Sequence, residues 1–288
     1  MTRHLLKIWV PVLSAMYLFA SPGLVRAAAS EAVDWTHGVV TVVGEGVPPE
    51  QGSLAKRRLL AKRAAITDAY RKLAEVVNGV QVDARTVVKE LELQSDEIRT
   101  SVSGLIKGAQ IQAENITSDG AYEVRMVLPL FGQSGLASAV LGSSLNTQRQ
   151  MITSLGPLVP EKPAQPNTPA LTTEATTTTG LIVDARHLKA SAALMPALLD
   201  EGGQVLYVGN LPVSEDELVA QGPVSYVHSM TEAQASSRAG KSPMVVVAKR
   251  YSGPFHADLV LSNDDSLRVK SLSTSGDVLK RLAVVIAY

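Results

Sequence analysis

The stretch Val39–Val77, VVTVVGEGVPPEQGSLAKRRLLAKRAAITDAYRKLAEVV, sets the architecture. Its opening residues, Val39, Val40, Val42 and Val43, are β-branched and read as a strand. Gly44, Gly46, Pro48 and Pro49 then carry turn chemistry, and Ser53 is suited to cap a helix. Beyond it Leu59, Ile66 and Leu73 recur at seven-residue spacing, with Ala69, Tyr70 and Val77 on the same predicted face. Such a stripe needs a surface to bury against, and the preceding strand predicts a sheet that provides it.

Working outward, Asn78 and Gly79 end the helix, and Val80–Val82 is a short strand candidate. Ser95, Asp96 and Glu97 open a second helix carrying Ile98, Val102, Leu105 and Ile106, which Gly108 breaks. Residues 110–117 and 122–130 alternate as strands around the turn Ser118, Asp119 and Gly120, a predicted hairpin. Leu136–Leu141 reads as a short closing helix, and Trp35 is placed over an edge of the first strand. The order strand, helix, short strand, helix, hairpin predicts an α+β domain with helices packed on an antiparallel sheet.

Residues 1–29 read as a signal peptide: Arg3, His4 and Lys7, an apolar run broken by Pro11, then Ala27, Ala28 and Ala29. Losing Arg3, Lys7 and Arg26 would take the chain from neutral to −3. With no cysteine in 288 residues, disulfides, thiolate chemistry and an acylated N-terminal cysteine are excluded. The balanced charge speaks against a nucleic-acid partner held through phosphates. No transmembrane span is expected after cleavage, which places the chain in the periplasm or peripheral to the outer membrane.

Between residues 146 and 179 five prolines precede Thr176–Thr179, a composition that predicts a linker between domains 30–145 and 180–288. The second domain is also predicted α+β, opening with a buried strand at Leu181–Val183. A turn at Asp200–Gly203, strands at 205–208, 224–228, 244–248 and 259–261, and helices at 214–221 and 231–239 follow. A helix closing at Leu279–Leu282 then leads into a final strand, 283–287, as an integral sheet member.

The passages VTVVGEGVPP, AKRRLLAKRAAITDAYRKLAEVVNGVQV, IRTSVSGLIKGAQI and YEVRMVLPL resemble the LPP20 family of bacterial envelope proteins. That family is related in turn to the N-terminal domain of the flagellar assembly protein FlgT. The resemblance covers Val39 to Leu130, while TGLIVDAR, GQVLYVG and DLVLSNDD look like the C-terminal extension of longer members. It implies an exported envelope protein with a helix-on-sheet domain and no assigned catalysis. The partners it implies are envelope or flagellar basal-body proteins, or a second copy of the chain. Lipid attachment through cysteine, as in lipoprotein members, is chemically closed here.

Candidate sites are few. The run Lys56, Arg57, Arg58, Lys62 and Arg63 is a candidate partner-binding basic face, or else a solvated one. Ser53 and Lys56 have S-x-x-K spacing but lack the companion motifs of serine hydrolases, leaving Ser53 as a cap. Gly44 and Gly46 fit neither dinucleotide nor P-loop patterns, and are read as a tight turn. His37, His187, His228 and His256 show no metal-ligand spacing; Asn263, Asp264 and Asp265 are read as a turn in preference to a cation site, lacking EF-hand spacing; Asp184 and Arg186 fit a pair across a cleft, an ordinary ion pair or two exposed positions. No catalytic residue, cofactor or metal is expected. The function expected is recognition by a structural or assembly factor. The alternatives are adhesion to glycan or peptidoglycan, and an enzyme of unrecognised type, which a convergence of His187, His228 and His256 would favour.

Overall fold

The computed structural model describes residues 32–142, 178–207, 215–275 and 277–288. The predicted signal peptide and nearly all of the predicted linker lie outside them. The described chain forms two sheets with seven helices, a two-domain α+β arrangement.

The first sheet is antiparallel and is ordered β1-β2-β4-β3, from Val33–Asp34, Val39–Gly46, Gln110–Ile116 (β3) and Tyr122–Pro129 (β4). The expected hairpin is β3–β4, with Ile116 opposite Tyr122 and Gly120 at φ 87° in its turn. Helix α1, Leu54–Gly79, lies across this sheet, and the Ser53 hydroxyl accepts from the Lys56 N–H at 3.3 Å, as expected of a cap. Helices α2 (Val88–Gln94) and α3 (Asp96–Lys107) pack beside it, the second capped by Ser95. A further helix, α4, occupies residues 136–142. The strand candidate at Val80–Val82 reduces to one isolated bridge, between Gln81 and Val87.

The face that α1 buries differs from the predicted one. Ala61, Ala65, Ala69, Leu73 and Val77 are buried, a four-residue stripe, whereas Leu59 is 51% exposed and Ile66 and Tyr70 are only partly covered. The cause lies on β2. Gly44 and Gly46 are strand residues, paired with Val124 and Tyr122, and are not the tight turn the sequence suggested. A Cβ on Gly44 would come within 2.2 Å of the Ala65 carbonyl oxygen, and one on Gly46 within 2.0 Å of that of Ala61. Missing side chains on the strand and methyls on the helix let the two backbones approach, which a leucine stripe would forbid.

The second sheet has seven strands ordered β7-β6-β10-β9-β5-β11-β8. In chain order these are Leu181–Asp184 (β5), Leu198–Leu199 (β6), Val205–Tyr207 (β7), Ser225–Val227 (β8), Met244–Ser252 (β9), Asp258–Leu261 (β10) and Val284–Ala287 (β11). The run β9-β5-β11-β8 is parallel; its inner strands β5 and β11 are buried on both faces, while β9 alternates buried and exposed residues. The final strand β11 is accordingly buried throughout and internal to the sheet. Helices α5 (Glu215–Gln221), α6 (Met230–Ala235) and α7 (Asn263–Ser275) complete the domain. Two expectations are corrected here. Asn263, Asp264 and Asp265 form the first turn of α7, where acids favour the helix dipole, and residues 277–282 are turns instead of a helix.

The two domains touch along a seam. Gln81 and Val82 carbonyls accept from the Leu194 and Met195 N–H groups at 2.9 and 2.7 Å, and Leu194 joins the first core. Trp35 packs against both cores and meets Tyr226 edge-on at 5.6 Å. The Phe131 ring fills the space a Cβ on Gly222 would need. Thr179, expected in the linker, is already bonded to the second domain through Ala239 and Ser242.

Candidate functional site

The five basic residues sit on the first three turns of α1, Lys56, Arg57 and Arg58 on the turns before it meets the sheet and Lys62 and Arg63 on the first turn that does. Ala61 is its first buried residue. Before it, Leu54 and Leu59 stand in solvent and Leu60 is 39% exposed, with Val47 at 77% in the preceding loop. From Gln51 to Thr67 the chain has no acidic residue, and none occupies the first turn of α1. Cations there oppose the helix dipole, so local helix stability gains nothing from them.

The five residues do not act alike. The Arg57 guanidinium folds back, its Nε donating to the Pro49 carbonyl at 2.5 Å and pinning the incoming loop. Lys62 pairs with Glu114 of β3 at 2.7 Å, and Tyr122 donates to the same carboxylate. These hydrogen bonds raise the pKa of Lys62 and lower that of Glu114. Among the described residues Lys56, Arg58 and Arg63 make no ion pair and are exposed. The candidate surface is therefore Lys56, Arg58 and Arg63 together with Leu54, Leu59 and Leu60. The leucines were missed because the seven-residue spacing placed Leu59 in the core; the glycines of β2 facing alanines on α1 were the available signal.

Further along, α1 becomes a fixed part of the sheet. Asp68 accepts from the Glu45 backbone N–H at 3.0 Å, and Lys72 donates to the Val43 carbonyl at 2.8 Å. Strand β1 covers only the start of β2, so these side chains satisfy its remaining free edge. Burial pushes the Asp68 carboxyl up, but hydrogen bonds from Lys72, Arg71 and Glu45 outweigh it and hold it at about 2.

The other candidates stay apart. His37 pairs with Asp34 at 2.7 Å, His228 lies by Tyr288, His256 stacks on Tyr251 at 4.0 Å, and His187 is exposed. Each has a local setting, and no group of three metal-ligating side chains forms among the described residues. Asp184 and Arg186 make the expected ion pair, with two hydrogen bonds between guanidinium and carboxylate at 2.9 and 2.8 Å. A groove of about 520 Å³ lies between α1, α2 and α3, bordered by Tyr70, Glu92, Arg99 and Lys107. Burial raises the Glu92 pKa, and Arg99 is already paired with Asp96 at 2.7 Å.

Comparison with known proteins bears on the other end of the chain. Residues 180–288 match a family model described as the second domain of Treponema pallidum Tp0624. The match spans the second sheet from the residue before β5 to the end of the chain, well under half of the whole. No curated protein matches the chain. No helix among the described residues is long and apolar enough to cross a membrane.

Proposed function

We propose that this chain is an exported, envelope-associated protein that acts without catalysis, as a structural or assembly factor working through surface recognition. Residues 39–130 would then be a domain of the LPP20 kind, related to the N-terminal domain of FlgT, with a flagellar basal-body neighbour among the candidate partners. Its place is the periplasm, at the periphery of the outer membrane. The observation that carries this reading is the overhang of α1. A helix held tightly to its sheet from Ala61 onward presents exposed leucines before that point, beside Lys56 and Arg58, which make no ion pair among the described residues. Exposed apolar groups clustered with charges of one sign are a common mark of an interaction surface.

The test is site-specific photo-crosslinking in cells from position 63, with position 267 on α7 as an exposed control. The expected outcome is a discrete adduct from position 63 that Lys56→Glu with Arg58→Glu abolishes, and none from position 267. Equal labelling from both positions, or an adduct indifferent to the charge reversals, would overturn the reading.

A further inference from the structure

We infer that the overhanging turns of α1 dock on an anionic phospholipid surface. This rests on the recognition reading of the same tip and names what it recognises. The apolar groups there are open to solvent: Leu54, Leu59 and Val47 are each more than half exposed and Leu60 more than a third. A protruding set of leucines suits a bilayer interface, which yields to a convex shape, whereas a protein partner would have to supply a matching hollow. Leu59 lies opposite the Ala61–Ala65 contact, so it can enter an interface without disturbing the sheet.

Charge supplies the second part of the fit. Lys56, Arg58 and Arg63 alternate with these leucines, and no carboxylate occurs between Gln51 and Thr67 to repel lipid phosphates. Lys56, Leu59 and Arg63 share one face at three- and four-residue spacing, so the leucine can meet the acyl boundary while the long cations on either side reach lipid phosphates. Downstream the pattern ends, since Asp68 and Glu75 both pair with Arg71, at 2.8 and 2.6 Å. The docking segment thus runs from the turns before Ala61 to Arg63, on the solvent side of the first turn that the sheet holds.

Co-sedimentation with vesicles tests this, using the chain from Ser30 onward, which keeps every described residue and omits the apolar N-terminal run. Binding is expected to vesicles of phosphatidylcholine mixed with phosphatidylglycerol, to weaken with salt, and to be slight on phosphatidylcholine alone. Each cation near such a surface contributes about fivefold, so Lys56→Gln, Arg58→Gln and Arg63→Gln together should weaken binding about a hundredfold. Leu59→Ser with Leu60→Ser should weaken it about tenfold while lowering the thermal melt only slightly, through helix propensity and the partly covered Leu60. Binding that ignores lipid charge or survives the triple variant would overturn the inference. So would no binding at all: persistence of the position-63 adduct would then identify an acidic protein as the partner. Loss of both would remove the recognition reading as well.

Discussion

The two domains solve the same packing problem with opposite materials. In the first, α1 reaches the sheet through Gly44, Gly46, Ala61, Ala65 and Ala69, so fit comes from the absence of atoms. In the second, the sheet's own strands contribute Leu181, Val183, Leu198, Tyr207, Tyr226 and Leu259 to the core, all almost fully buried, so fit comes from filling space. Here Tyr207 donates to the Pro223 carbonyl at 2.6 Å and Tyr226 to that of Ala193 at 3.0 Å, which lets phenols serve in a core. The lesson is that one chain can hold one interface intolerant of added atoms and another intolerant of lost ones.

The largest effect should come from adding atoms where none fit. Gly44→Val is expected to destabilise the first domain by about 4 kcal/mol or more, although valine is the better strand former. A chemical-denaturation curve showing no loss would break the contrast at its root. Leu181→Ala, on the space-filling side, should cost about 3 kcal/mol through the cavity it leaves. The paired measurement is Ala65→Gly, expected near 1 kcal/mol from helix propensity alone. Similar losses for both substitutions would erase the distinction.

A smaller effect is expected at Arg238, half-buried and without a carboxylate partner among the described residues. It donates to the carbonyls of Leu282 at 2.6 Å, Gln221 at 3.0 Å and Gly222 at 2.5 Å, and to the Ser225 hydroxyl at 3.1 Å. Burial lowers its pKa, yet a guanidinium stays charged and its planar fork reaches all four acceptors. Arg238→Lys should therefore cost about 2 kcal/mol, read from the denaturation midpoint, because one ammonium cannot replace that geometry.

The smallest effect is pH-linked. Asp68 titrates at about 2, against an ordinary value of 3.8, so its carboxylate stabilises the fold above pH 4. That contribution is lost as pH falls through 2. Asp68→Asn should cost about 1 kcal/mol at neutral pH, since part of the site faces water, and the gap to the parent should close toward pH 2. A pH-independent gap would assign Asp68 a purely steric role at the β2 edge.

Elements with a strong local pattern were legible: the valines of β2, the cap at Ser53, the β3–β4 hairpin and the buried final strand. The orientation of α1 was not, because alanines carry little hydropathy and a leucine count outweighs them. Helix α7 escaped notice for a related reason. Its sequence is rich in serine and charge, and only a few residues, Ser266, Val269 and Leu272 among them, are buried. The strand order of the second sheet depends on pairings far apart in sequence, such as Leu181 with Val284, which no local periodicity encodes. The basic run was legible as a candidate, but its division into Arg57 and Lys62 as braces and the others as free cations depends on Pro49 and Glu114.

Trp35 gives the seam an optical voice. The sequence has two tryptophans, and a chain starting at Ser30 keeps only this one, half-buried against Tyr226 where the domains meet. Its emission wavelength and quenching therefore follow the docking of one half on the other, with no label to attach. Separation of the halves under force, denaturant or a competing partner should register as a red shift before either sheet melts.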